Sequence, residues 1–157
     1  MTTSHTSAIA IVTVDQIVFR KFKTQENNIT YSYLMALKTI SLTNMENFYD
    51  LLSNNPGLLI IKFGATWCGP CQKIEKNIEQ WFQILSLNQN IQTVLIDIDE
   101  SFEVYAYLKN KKMMKGIPAI LMYKKGNNTF VFDDIVNTSD TVDVDKFFKR
   151  CTDAIQT

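Results

Sequence analysis

Between residues 38 and 155 the apolar positions switch back and forth between strand-like blocks and helix-like stripes. KTISL, residues 38 to 42, alternates as a short strand does. Thr43, with Glu46 three residues on, has the form of a capping box and predicts a helix carrying Phe48, Leu51 and Leu52 inward. Pro56-Gly57 stops that helix. LLIIKFGA, residues 58 to 65, is almost continuously apolar, the pattern of a strand covered on both faces. Apolar residues then recur at Cys71, Ile74, Ile78, Trp81, Phe82 and Leu85, one stripe of a long helix. IQTVLIDID, residues 91 to 99, predicts a second buried strand, and Ser101 opens a helix through Val104, Tyr105 and Leu108. AILMYKK and TFVFDD flank Gly126-Asn127-Asn128 as the arms of a hairpin. A last helix turns Val144, Phe147, Phe148, Cys151 and Ile155 inward.

The order β-α-β-α-β-α-β-β-α predicts a mixed sheet, parallel at its centre and ending in an antiparallel hairpin, with helices on both faces. Residues 1–36 fall outside that scheme. AIAIVTVDQIVFRKF favours extended structure, TQENN reads as a turn, and ITYSYLMAL fits strand or helix. The expected organisation is a β-rich extension, 1–36, followed by one α/β domain, 37–157. Exposed apolar edges recruit partners, so the extension is expected to pack on the domain or to mediate a homodimer.

Composition narrows the classes. Sixteen basic and sixteen acidic side chains cancel, which removes the electrostatic footprint of a nucleic-acid or anionic-membrane binder. No apolar run approaches the roughly 18 residues of a transmembrane helix. The opening MTTSHTSAIAIVTVDQ has an apolar patch from Ala8 to Val14, but no basic n-region and an early Asp15, so it makes a poor signal peptide. Three cysteines in 157 residues do not make a secreted disulfide framework. A soluble, cytoplasmic protein is expected.

The chemistry lies in KFGATWCGPCQKI, residues 62 to 74. Its cysteine pair could be a redox dithiol, half of a metal site or two unrelated core residues. A zinc site needs four ligands, and His5 and Cys151, the other candidates, sit at opposite ends of the chain. No metal is therefore expected. Cys68 follows a buried strand and opens the long helix, where orphan N–H groups and the helix dipole stabilise an anion. A thiol so placed falls from about 8.5 into a range of roughly 3.5–7.5. Cys71, almost one turn further in, shares its face, a spacing from which the sulfurs can bond without backbone movement. Depth divides the labour, with Cys68 exposed as nucleophile and Cys71 buried as resolving thiol. Pro70 suits the first helical turn, Gly69 completes the Cys-Gly-Pro-Cys turn, and Trp67 offers a flat apolar wall to a docking chain.

FGATWCGPC resembles the active-site strand, turn and helix of the thioredoxin family, and KGIPAILMYKKG, residues 115 to 126, is similar to that family's cis-proline loop and following strand. VLIDIDE (94 to 100) and TISLTNMENF are similar to its central strand and to its first strand and helix. The resemblance spans about residues 37 to 155. It implies a thioredoxin-like three-layer α/β/α fold and a protein-disulfide oxidoreductase serving electron transport and cell redox homeostasis. In that scheme Cys68 attacks a substrate disulfide and Cys71 resolves the mixed disulfide, which leaves a redox-active Cys68–Cys71 disulfide. A cis Pro118 would face the sulfurs, and the Ile117 backbone would pair with the substrate chain. No cofactor is implied beyond the cysteine pair, and electrons would come from a thioredoxin-reductase-like partner drawing on NADPH.

Three departures stand out. Lys62 occupies the position, six residues before the nucleophile, where the family usually has a buried acid. Asp97, on the neighbouring strand, could pair with it. The segment before Pro118 runs long and carries Lys109, Lys111, Lys112 and Lys115, and DDIVNTSDTVDVDKFF lacks the glycine the family places before its last helix. Two rival readings remain: an oxidase or isomerase of the same fold, and a non-catalytic module that docks through its extension.

Overall fold

Seven residues, all without a polar side chain except Lys62, form β1 (Leu58–Gly64), and six of the seven are buried. The computed structural model describes residues 39–156. β1 pairs in parallel with β2 (Ile91–Asp97), from Leu58 opposite Ile91 to Gly64 opposite Asp97. Its other edge pairs antiparallel with β3 (Ala119–Lys124), and β4 (Asp134–Val136) continues antiparallel beyond β3. The strand order is β2-β1-β3-β4.

Helices cover both faces. α1 (Met45–Ser53) and α3 (Phe102–Asn110) place Phe48, Leu52, Val104 and Leu108 against Leu59, Ile61 and Phe63 of β1. Phe48 meets the Tyr123 ring edge-on at 6.1 Å. On the opposite face α2 (Gly69–Leu85) and α4 (Thr141–Gln156) pack together through a Trp81–Phe148 stack at 5.1 Å. The Trp81 indole Nε1 and the Asn77 amide both donate to Asp145 Oδ1, at 2.7 and 2.9 Å, and so tie the two helices. The mixed sheet and the helical layers agree with the three-layer expectation. The expectations for residues 1–36, including a β-rich extension and a homodimer, lie outside the described residues.

Several local expectations are corrected. Of the strand expected over 38–42, the described residues 39–42 form one parallel bridge, Thr39 with Leu95, with Ile40 N donating to Leu95 O at 3.0 Å. Leu42 then leaves the sheet edge for the core, and its amide donates to Ser101 Oγ. That use of the hydroxyl leaves α3 without a side-chain cap. The cap of α1 is Asn44, one residue later than expected, accepting from Asn47 N at 2.9 Å.

The sheet's central pair, β1 with β3, is antiparallel; among the described strands the parallel pair is β1 with β2. α3 runs the chain back, and residues 111–118 return it to the end of the sheet where β1 stops. β3 must therefore start there and run against β1. The hairpin over 119–134 is also looser than expected. Residues 129–133 form no strand, because Phe130 turns in to stack on Phe48 at 5.7 Å and to meet Tyr107. The Asn127 amide holds the resulting loop through Val131 O and Asp133 Oδ2.

Candidate active site

β1 stops at Gly64, and Ala65-Thr66-Trp67 lead into α2, whose N-cap is Cys68. With Pro70 in its first turn, α2 loses no hydrogen bond to the missing proline N–H. The Cys68 sulfur accepts the Cys71 N–H at 3.2 Å and is bonded to Cys71 Sγ, the Cα atoms lying 5.2 Å apart. The free end of the helix thus points its amides and its positive pole at this sulfur, which favours thiolate over thiol in the reduced state.

One expectation changes. Cys68 is not the open member of the pair: it is 4% exposed and Cys71 2%. The Cys68 sulfur folds back over the first turn of α2 toward the Cys71 amide, and what projects into solvent is its neighbour Trp67, 65% exposed. The case for Cys68 as nucleophile rests on its cap position, not on exposure. The Trp67 indole is held by its Nε1–H donating to Asp99 Oδ2 at 2.7 Å.

The second side of the site comes from the start of β3. Ala119 pairs with Phe63 next to the end of β1, so residues 116–118 lie at the cysteine end of the sheet. The Ile117–Pro118 bond is cis, and Pro118 is buried while Ile117 is half-buried. Both flanking carbonyls are taken. The Asn137 amide donates to Gly116 O at 3.0 Å and to Pro118 O at 2.7 Å.

Behind the dithiol, Lys62 does not snorkel freely outward. A Cβ built on Gly64 would meet Lys62 Nζ at 2.8 Å and Cys71 Sγ at 3.6 Å, so the amine and the resolving sulfur flank one small gap. A cleft of about 330 Å³ lined by Lys62, Ala65, Thr66, Cys71, Gln72 and Glu75 opens onto that gap. Burial lowers the Lys62 pKa, opposed first by the charge of Glu75 and then by that of Asp97. Among the described residues Lys62 and Asp97 form no salt bridge, and Asp97 Oδ1 instead accepts from Asp99 N at 2.9 Å. The described residues also hold no group of three His, Cys, Asp or Glu that could bind a metal ion.

A family model described as Thioredoxin matches residues 39–150. The chain belongs to the thioredoxin family. A thioredoxin-like protein of Synechocystis sp. is 34% identical over 80 residues, which is 51% of this chain and 70% of that protein. Thioredoxin-2 of Pyricularia oryzae is 30% identical over 99 residues, 63% of this chain, but the match spans only 52% of that relative. The structure of oxidised mitochondrial thioredoxin 3 from Saccharomyces cerevisiae is similar with a TM-score of 0.56 at 25% identity, covering 76% of this chain and 98% of that one. Cys68 and Cys71 are thus a thioredoxin-type dithiol, and the chain is a dithiol–disulfide oxidoreductase.

Three residues of this thioredoxin-family site escaped the sequence reading. Glu75 stands four residues after Cys71, one turn along α2, and that spacing was its signal. Asp99 follows β2 at the cysteine end, two residues past the Asp97 that was singled out. Asn137 had no local signal, since its role comes from β4 lying beside β3.

Proposed function

We propose that the chain reduces protein disulfides in a reducing compartment and is itself re-reduced by a thioredoxin-reductase-like partner drawing on NADPH. The Cys68 thiolate attacks one sulfur of a substrate disulfide; that bond breaks, and the leaving thiolate takes a proton from solvent. Cys71 gives its proton to solvent, its thiolate attacks Cys68 Sγ and breaks the mixed disulfide, and the second substrate sulfur leaves as a thiolate that takes a proton from solvent. Two electrons pass to the substrate and the Cys68–Cys71 disulfide remains. The observation that carries this reading is Cys68 capping α2 with its sulfur on the Cys71 amide and within bonding reach of Cys71. Trp67 and the Ile117–Pro118 edge are the surfaces assigned to the substrate chain, and no cofactor takes part beyond the dithiol.

The test is insulin reduction with Cys68→Ser and Cys71→Ser. The first variant should be inactive, and the second should accumulate mixed disulfides that reducing agents release. Insulin reduction by Cys68→Ser at the wild-type rate would sink the mechanism. One observation favours the opposite direction of exchange, an oxidase or isomerase: the Lys62 amine beside Cys71 stabilises thiolates and therefore the reduced dithiol. A strongly oxidising potential would decide for that reading.

A further inference from the structure

Residues 115–118 carry three hydrogen bonds among the described residues, and all three go to one side chain. Lys115 N donates to Asn137 Oδ1 at 2.7 Å, and Asn137 Nδ2 donates to Gly116 O and Pro118 O. The earlier part of the same connection is fixed by its own backbone, through Lys112 N to Lys109 O and Met113 N to Leu108 O. Asn137 is therefore the sole polar tie between the cis-proline turn and the rest of the described domain. The pattern of occupancy matters as much as the restraint. The carbonyls on either side of Ile117 are filled, whereas the Ile117 N–H and C=O have no partner among the described residues. Gly116 N–H and Lys115 C=O are open as well, but of residues 115–118 only half-buried Ile117 keeps both its donor and its acceptor without a partner among the described residues, so it is where an extended chain can exchange a pair of hydrogen bonds.

We propose that Asn137 is a positioning residue for protein substrates: it holds the Gly116–Pro118 edge and engages the two carbonyls beside Ile117, so that a docking chain meets a fixed donor and acceptor at Ile117. This rests on the reading that protein disulfides are the substrate. Asn137 touches neither sulfur in this scheme and acts through the loop. Its removal frees two acceptors and loosens the edge, which weakens the docking of an extended chain without altering thiolate attack.

The experiment compares insulin with 5,5′-dithiobis(2-nitrobenzoate), a small disulfide with no extended chain to dock, in the wild type, Asn137→Ala and Asn137→Asp. The Asp variant is almost the same size and keeps the acceptor for Lys115 N–H but cannot donate. Asn137→Ala should raise KM for insulin about tenfold, equivalent to about 1.4 kcal/mol of docking free energy. Its kcat, and its rate on the small disulfide, should stay at wild-type values, and Asn137→Asp should behave as the Ala variant does. An unchanged insulin KM in both variants would overturn the inference, as would equal losses on the two substrates. Wild-type protein that turned over the small disulfide but not insulin would instead overturn the substrate reading, and this inference with it.

Discussion

Lys62 Nζ and Cys71 Sγ face one another across Gly64, each within 3.6 Å of the point where a Cβ on that glycine would sit. A cation there favours thiolate over thiol and stabilises the reduced dithiol, which makes the protein more oxidising. Lys62→Asp should lower the reduction potential, by about 30 mV for each 1.4 kcal/mol of lost thiolate stabilisation, and raise the Cys68 pKa. A glutathione redox titration with thiolate absorbance against pH measures both. Because burial holds the Lys62 pKa below its ordinary value, the difference between variants should shrink as pH rises, starting below the usual lysine range. Equal potentials at neutral pH would remove Lys62 from the chemistry.

Gly64→Ala tests the same geometry without touching a charge. The new methyl group meets the far end of a flexible side chain, so the lysine swings away and the backbone keeps its place. The variant should keep its melting temperature within a few degrees and shift its potential in the same direction as Lys62→Asp, by less. A potential unchanged from wild type would mean that the amine does not act on the sulfurs from this position.

Cys151 is fully buried on α4, and its thiol is pushed up to about 12, first by burial and then by the charge of Asp134. The oxidised native protein should therefore show no thiol reactive toward a labelling reagent in mild alkali, and one after denaturation. The folded pKa is raised above the ordinary 9.0, so the contribution of this group is present below pH 9 and is lost as pH climbs toward 12. Cys151→Ala should flatten that alkaline loss of stability. Rapid native labelling would contradict the burial.

Asp145 accepts from both Trp81 and Asn77. Asp145→Ala leaves two donors between α2 and α4 unpaired and should cost about 1–3 kcal/mol in urea unfolding. Asp145→Asn, which still offers an oxygen, should recover most of it. Two variants of equal stability would show that the oxygen is not what matters.

Long apolar stripes were legible in the sequence because each reports its own environment. Phe48, Leu52, Val104, Leu108, Phe147 and Phe148 are all buried as their periodicity predicts. Cys68 and Cys71 were legible for a related reason, since a strand end, a helix start and a spacing are local facts. What was not legible depends on residues that meet only after folding. TFVFDD has strand composition, yet Phe130 is claimed by Phe48 and Tyr107 from two helices. Ser101 sits where a cap belongs, yet its hydroxyl accepts from Leu42, fifty-nine residues away. Asn137 belongs to the same class, because β4 must lie beside β3 before its amide can find Gly116 and Pro118.

β1 is hydrogen-bonded along both edges, to β2 and to β3, and its side chains are buried on both faces. Its amides should consequently be among the slowest in the domain to exchange with deuterium, opening only when the whole domain unfolds. The dithiol is attached to the last residues of that strand. Cys68 follows the end of that strand by four residues, so the dithiol is expected to be anchored to a segment that opens only with the whole domain.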